Sequence, residues 1–563
     1  MKKNNQERLV LENYENEFFY KKKKSNLNIT FNRIAFIFFV FLMICTIYSI
    51  KVFYLGALKS NIKIQKNLIV KKNYRSDIID KNGNFIAKSV ITQTAGIDPN
   101  LIIDKKKLLI NLQLIFPDKD FKKIRERFKK KKYFRLQRQL DQSQIQKLNL
   151  LGDKSIRFEE QITRFYPQKN LFSHIIGQID DENNGISGLE KFYDYELKTQ
   201  KEPLRLTIDT DIQFLIRQEL IKFQEIFKTI GSTSILMDVN NGEIISMVSL
   251  PDFDLNKRQN IKDKNYINRA TKGVYELGSV FKTFTLAAGI NEKEVEPDTL
   301  FKDLPKNITC AGRRIREYDN EIPTELTAED ILIRSGNIGS VRIAQKIGID
   351  KFKSFLEKIG VLNKIDFDIE EVGQPLPFKW GKCKLATTSF GHGITTTPLQ
   401  LAKGYSIITN GGYYIKPTLI KQNILQKETK NKILNDGVSK KINPILRKIV
   451  STKEGTAGFA NIKGYQVGGK TGTAQKTIGG VYSKKKINTF AAIFPISKPQ
   501  YVLIVLLDET EPNKEYIYNY KDGSGWKYKG TAFNTAGWTS VEVAGKIIEK
   551  IGPILATKYI KVN

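Results

Sequence analysis

Apolar and polar positions along this chain change period from stretch to stretch, and the changes mark out its elements. Between Arg33 and Lys51 there is no charged residue, and the run Ile34-Ala35-Phe36-Ile37-Phe38-Phe39-Val40-Phe41-Leu42-Met43-Ile44 is apolar on every side. Taken on through Val52 to Leu58, it exceeds the ~18 residues that suggest a membrane span. Gly56-Ala57 is a poor cleavage site after a long apolar core, which favours a retained signal anchor over a removed signal peptide. Next, Tyr74 to Ala87 reads as strand, Asn82-Gly83 turn, strand. From about Lys105 to Asn149, Leu, Ile and Phe recur three or four apart among lysines, a helical pattern. Leu204 to Asp209 alternates as a strand does, and a helix over Asp211 to Lys222 follows. Ser234 to Leu250 reads as two strands around Asn240-Asn241-Gly242. Helices are expected from Ser279 to about Leu401, then strands over Tyr465–Thr473, Thr489–Pro495 and Tyr501–Asp508, and a closing helix over Thr539–Ile551.

At 563 residues the chain is long enough for two or three domains. Lysine and arginine outnumber the acids by 92 − 59 = 33. The excess is lysine spread along the chain, without the clustered or aromatic-interleaved patches of a nucleic-acid domain. Nucleic acid is therefore not an expected partner, whereas anionic membrane or cell wall would suit the charge. Lys21 to Lys24 precede the apolar run and Lys59, Lys63 and Lys66 follow it, so the charge rule leans only weakly to a cytoplasmic N-terminus. Of the three cysteines Cys45 falls in the span. For Cys310 and Cys383 a disulfide and two separate buried thiols stand level, because sequence does not give their distance.

The candidate chemistry begins at Gly278-Ser279-Val280-Phe281-Lys282, at the head of an apolar run reaching Ile290. Three residues apart on a helix, the Ser279 hydroxyl and the Lys282 amine share a face. The helix N-terminus also favours an alkoxide or oxyanion there. That is a layout for a nucleophile with a lysine base. Spacing alone decides nothing, since Ser60/Lys63, Ser483/Lys486 and Ser524/Lys527 share it. Two further words do: Ser335-Gly336-Asn337 lies 56 residues beyond Ser279, and Lys470-Thr471-Gly472-Thr473, the one Lys-Thr-Gly in the chain, lies 135 beyond Ser335.

Ser-x-x-Lys, Ser-x-Asn and Lys-Thr-Gly in that order resemble the signature of serine penicillin-recognising enzymes. The chain resembles a class B penicillin-binding protein, most closely the septal FtsI-type transpeptidases. Tyr74 to Ala87, Arg164-Phe165-Tyr166-Pro167, His174-Ile175-Ile176-Gly177 and Gly185 to Lys191 resemble landmarks of that family's pedestal domain, where packing or partner docking is the better reading. Ser389 to Gln400 resembles a family segment in which His392 often stands as glutamine; lining the cleft suits it better than a Ser-His-Asp triad, for which only His174 and His392 are available. Leu277 and Val280 depart from the usual proline and threonine. The resemblance fades in Glu509 to Trp538, where a loop near the cleft is expected.

The resemblance implies an α/β, β-lactamase-like transpeptidase fold on a pedestal with one membrane anchor helix. The expected domains are a cytoplasmic tail (1–33), an anchor (34–58), a pedestal (59–203) and a transpeptidase domain (204–563). It implies that Ser279 attacks the carbonyl between the last two D-alanines of a peptidoglycan stem peptide. Lys282 would be the base, Lys470 the neighbouring cation, Ser335 a proton relay and Asn337 a holder of substrate or Lys282. Thr471, Gly472 and Thr473 would bind the terminal carboxylate, and the Ser279 and Thr473 N–H groups would form the oxyanion hole. No cofactor or metal is implied. The partners implied are lipid II-derived strands, β-lactams as inhibitors, the inner membrane, a SEDS-type glycosyltransferase and other division proteins. The catalytic domain would lie in the periplasm. An elongation-type transpeptidase, a D,D-carboxypeptidase and a non-catalytic division scaffold remain the competing readings. About 150 residues between anchor and catalytic domain leave little room for a glycosyltransferase module.

Overall fold

In the computed structural model the described residues are 33–54 and 74–558, apart from 181, 258–262, 264–265, 422–430 and 521–523. The chain divides into two units, one ending at Tyr74 and the other beginning at Arg75. In the first, Arg33–Tyr54 is one 22-residue helix, long and apolar enough to cross a membrane. At 1.5 Å per residue it spans about 33 Å, close to the hydrocarbon thickness. It fits a single-pass anchor. Residues 55–58 of the expected anchor lie outside the described residues.

The second unit opens with the predicted hairpin: Ile78–Ile79, a turn held by the Asp80 carboxylate on the N–H groups of Asn82 and Asn84, then the long strand Phe85–Ile97. From Lys88 to Ile97 that strand pairs antiparallel with Ile156–Phe165. The lysine-rich stretch forms three helices, Lys105–Ile115, Phe121–Lys129 and Gln142–Leu150, each begun by an aspartate cap: Asp104, Asp120 and Asp141. Between them Phe134–Gln137 is a strand on the edge at Ala95–Ile97, which the helical pattern did not predict. Leu108, Leu112, Ile124, Phe128 and Leu148 give this subdomain its own small core.

Three of the pedestal landmarks meet in a buried ion cluster. Glu190 takes Arg75 Nη2 at 2.7 Å on one oxygen and Arg164 Nε at 2.7 Å on the other, all three side chains being at most 1% exposed. His174 is half-buried, its Nε2 3.0 Å from the Tyr266 carbonyl.

The expected strand over Leu204–Asp209 is shorter than its pattern. Only Leu204 and Arg205 pair, in parallel, with Ile78–Ile79; Asp209 already caps the helix α1, Thr210–Ile226, through the N–H groups of Asp211 and Ile212. The central sheet has strands β1 (Gly231–Asp238), β2 (Ile244–Leu250), β3 (Gly468–Ile478), β4 (Val481–Phe494) and β5 (Tyr501–Asp508). Its order is β3-β4-β5-β1-β2, antiparallel at every junction. Val502 to Leu507 are all 0% exposed, so helices cover both faces. One cover is α1 with the C-terminal helix Ser540–Lys558; the other is built from helices of the insert between β2 and β3. That insert carries Phe281–Asn291, Asn337–Ile347, Pro398–Thr409 and Val438–Ser451. Cys310 and Cys383 form a disulfide across it, with Cα atoms 5.5 Å apart.

Candidate active site

Ser279 sits in a 3-10 turn, Gly278–Val280, that runs straight into the helix Phe281–Asn291. Gly278 takes φ +62°, and a Cβ there would stand 2.7 Å from the Thr473 carbonyl oxygen. β3 runs so close to this turn that a Cβ on Gly472 would meet the Leu277 carbonyl at 2.2 Å. Glycine at both positions is what lets the Lys-Thr-Gly strand flank the nucleophile. From within the core, the Tyr405 hydroxyl donates to the Val280 carbonyl at 2.8 Å and meets Thr283 Oγ1 at 2.9 Å, holding the turn in place. The Ser279 side chain makes no hydrogen bond among the described residues and is half-buried.

The three sequence words converge on Lys282. Its Nζ donates to Asn337 Oδ1 at 2.7 Å, to Ser335 Oγ at 3.2 Å and, closer still, to the Ser335 carbonyl. Ser335 adopts φ +58°, which turns its carbonyl and its hydroxyl towards the same amine. Lys470 comes from β3 on the other side, its Nζ 2.8 Å from the same Ser335 hydroxyl and 3.2 Å from the Thr471 carbonyl. Ser335 Oγ is thus shared by two lysines, both at most 2% exposed. Burial brings Lys282 down to about 7, with the Glu317 charge opposing the fall. Burial and the adjacent Lys282 hold Lys470 well below the ordinary lysine range. The Lys282 charge is, after burial, the second cause that disfavours the Lys470 ammonium, so the two amines are linked electrostatically as well as through Ser335.

Glu317 is a residue that carried no sequence signal. Its carboxylate accepts the Asn337 N–H at 2.6 Å and the Ile338 N–H at 2.8 Å, capping the helix that presents Asn337. Asn337 Nδ2 donates to the Arg316 carbonyl at 2.8 Å, which leaves Oδ1 turned to Lys282. The hairpin Asn307–Cys310/Arg313–Arg316 leads directly into both of these contacts.

The two Lys-Thr-Gly threonines are held differently. Thr471 Oγ1 lies 2.7 Å from Thr456 Oγ1. Thr473 Oγ1 accepts the Ala536 N–H at 2.9 Å, which brings the Glu509–Trp538 segment to the edge of the cleft. That segment contains a short hairpin, Ile517–Asn519 with Lys527–Lys529, anchored by Tyr518 against Phe459 and Trp538. His392 stands between the rings of Phe390 and Tyr482, with Nδ1 buried and unpartnered. Burial and Lys282 press it to about 4, so it is neutral, and no carboxylate is among the causes of that shift. Tyr482 instead donates to the Glu276 carboxylate at 3.1 Å. Among the described residues no group of three His, Cys, Asp or Glu side chains is gathered as for a metal ion.

This arrangement sets an amine lowered to about 7 three residues beyond the Ser279 hydroxyl, and joins that amine through the Ser335 hydroxyl to a second, buried amine. Comparison with known proteins agrees with the chemistry. Residues 232–525 match the family described as the penicillin-binding protein transpeptidase domain, and residues 71–222 match the penicillin-binding protein dimerisation domain. The chain is 30% identical over 498 residues to the probable peptidoglycan D,D-transpeptidase FtsI of Caulobacter vibrioides, covering 86% of this chain and 82% of that one. It is 28% identical to the peptidoglycan D,D-transpeptidase FtsI of Buchnera aphidicola, covering 89% and 95%, and 27% identical to the stage V sporulation protein D of Bacillus subtilis, covering 77% and 74%. With both domains matched in order and the serine–lysine site assembled between sheet and insert, the chain belongs to the class B penicillin-binding proteins.

Proposed function

We infer that this protein is a peptidoglycan D,D-transpeptidase of cell division, acting through an acyl-enzyme on Ser279 and open to inhibition by β-lactams. The observation that carries the reading is Lys282: a lysine held near neutrality beside the nucleophile and wired through Ser335 to Lys470. Its uncharged amine takes the Ser279 proton as the oxygen bonds to the carbonyl between two D-alanines. The oxyanion so formed accepts from the Ser279 and Thr473 N–H groups, donors typically worth ~3 kcal/mol each. The C–N bond then breaks, and the proton passes from Lys282 through the Ser335 hydroxyl to the departing D-alanine amine. An amine from a second stem attacks the ester, releasing Ser279 and forming the cross-link. Thr471 and Thr473 hydroxyls, with Gly472 giving strand access, hold the terminal carboxylate, and Asn337 orients Lys282.

The same reading assigns 59–203 to a pedestal and 204–563 to the transpeptidase domain. It puts the 1–33 tail in the cytoplasm and the catalytic domain in the periplasm, beyond a single anchor at 34–58. The names of the FtsI relatives support a septal role, and a SEDS-type glycosyltransferase would supply the strands. Intact-protein mass after incubation with a penicillin tests the reading. A one-drug adduct on the Ser279 peptide, absent in Ser279→Ala, is expected; no adduct on folded protein would leave the scaffold reading in its place.

A further inference from the structure

The mechanism leaves one acid of the cleft unused. Glu276 stands three residues before Ser279, and three residues of chain span at most about 10 Å, so its side chain starts beside the nucleophile. Tyr275 and Thr396 exchange N–H to carbonyl bonds at 2.9 and 3.0 Å, which fixes the segment leading to Ser279 against the stretch 391–396. A Cβ on Gly391 would stand 2.1 Å from the Gly278 carbonyl oxygen, so the two segments stay in contact up to the nucleophile turn. Tyr482, from the outer half of β4, closes the other side, its hydroxyl 3.1 and 3.3 Å from the two Glu276 oxygens. Glu276 and His392 are half-buried and Tyr482 is exposed, so a ligand lying in the cleft can touch them.

Among the described residues no cation is ion-paired with Glu276. A carboxylate offers about four acceptor sites, and one phenol hydroxyl shared between its oxygens leaves most of them open. Lys384, the amine whose charge reaches it, is spent elsewhere: its Nζ donates to the Gly393 carbonyl and lies 4.0 Å from the centre of the Phe378 ring. His392, its ring 5.9 Å from that of Tyr482, is neutral. Burial accordingly raises the Glu276 carboxyl above its ordinary range, with the Gly393 N–H, the Tyr482 hydroxyl and Lys384 opposing the rise. A half-buried carboxylate short of a counter-charge gains most from a cation that arrives with the ligand.

The lie of the substrate selects that cation. β3 is the edge strand of its sheet, so its outer side is free for an extended peptide. With the terminal carboxylate on Thr471 and Thr473 and the scissile carbonyl at the Thr473 N–H, the stem leads back along Ala474 to Thr477, and Tyr482 stands opposite Thr477 in the register. The residue before the two D-alanines lies one strand step, ~3.4 Å, before the D-alanine that is acylated, and a long side chain on it reaches Glu276. Resting on the transpeptidase reading, we propose that Glu276, with Tyr482, sets the specificity for the donor stem: its carboxylate pairs with the side-chain ammonium of a diamino acid placed immediately before D-Ala-D-Ala. The Tyr482 hydroxyl holds the carboxylate, and its ring covers the methylenes of that side chain.

The test compares two depsipeptide donors, Nα-acetyl-L-lysyl-D-alanyl-D-lactate and its Nα,Nε-diacetyl counterpart, which differ only in the ammonium. D-lactate release by the detergent-solubilised full chain gives kcat/KM for each. The free ammonium should be preferred roughly fivefold or more, and in Glu276→Gln the ratio should fall to within about twofold. Glu276→Asp, which keeps the charge, should retain part of the preference. Each ratio is taken within one preparation, so partial misfolding of a variant cancels, and the parent's ratio needs no variant at all. A parent that is acylated by penicillin on Ser279 but uses both donors equally overturns the subsite and leaves the transpeptidase reading intact; no penicillin adduct removes that reading and the subsite with it. An unchanged preference in Glu276→Gln overturns the proposal as well. So does an effect of Glu276→Gln confined to the partition of the acyl-enzyme between water and an added amine, which would assign the carboxylate to the acceptor stem.

Discussion

At the scale of single residues, what separates Lys282 from the other lysines is its surroundings. The Ser-x-x-Lys spacing recurs by chance elsewhere in the chain; only at Ser279 does the lysine meet Asn337 and the Ser335 carbonyl in a dry pocket. Burial lowers the folded-state value to about 7, so the active neutral form is lost as pH falls through that value. Acylation by penicillin should therefore plateau above about pH 7 and decline about tenfold per unit below it, in stopped-flow or quenched mass measurements. Glu317 bears on the same titration from the other side, because its charge favours the ammonium form. Glu317→Gln should shift the acid limb to lower pH. It should also cost about 1–2 kcal/mol in thermal or denaturant unfolding, since each carboxylate oxygen accepts one N–H of the helix N-terminus and the amide keeps a single, neutral acceptor. The reacting groups were legible in the sequence because each lies in a short word with its own spacing. Glu317 was not: a lone acid 20 residues before Asn337 has no pattern to announce it, and only the fold brings it to the helix end.

At the scale of elements, legibility followed hydrophobic period. The strands buried along nearly their whole length, β1, β2 and β5, stand where the pattern put them, as do α1 and the closing helix. β4 proved far longer than expected, and β3 begins later, at Gly468, and runs on to Ile478; the two are joined through Gly479 and Gly480, both at positive φ. Their outer halves, Gln475–Ile478 and Val481–Lys486, are mostly exposed and rich in lysine, so the ladder there is held by main-chain pairing and leaves no apolar signature. The Phe134–Gln137 strand was hidden for a similar reason: four residues added to an edge inherit their conformation from Ala95–Ile97. The Cys310–Cys383 question was open in the sequence and is closed by geometry. The bridge ties the hairpin that delivers Arg316 and Glu317 to the helix Lys382–Thr388, across 73 residues of chain. Cys310→Ser/Cys383→Ser should lower unfolding stability by roughly 2–4 kcal/mol and slow acylation, while leaving the sheet intact by circular dichroism.

At the scale of the whole molecule, the unit from Arg75 onward is knitted across the pedestal boundary by specific pairs. Asp80 accepts the Thr210 hydroxyl at 2.6 Å, Lys81 pairs with Glu243 at 3.2 Å, and Glu371 accepts the Gly188 N–H at 3.1 Å. The +33 charge plays no visible part in the catalytic site, whose amines are buried and few. One contact described above has an optical consequence. The Ala536 N–H donates to the Thr473 hydroxyl oxygen, and two residues further on Trp538 is packed against Phe459, Tyr518 and Tyr528. A carboxylate that accepts the Thr473 hydroxyl proton turns that hydroxyl while Oγ1 still takes the Ala536 N–H, and its charge reaches the indole's surroundings through this contact. With only three tryptophans in the chain, a drop or shift in emission on acylation, abolished by Trp538→Phe, should report occupancy without any label. The protein then carries its own dye beside the substrate's charged end, and the speed at which a drug arrives can be watched as a change of light.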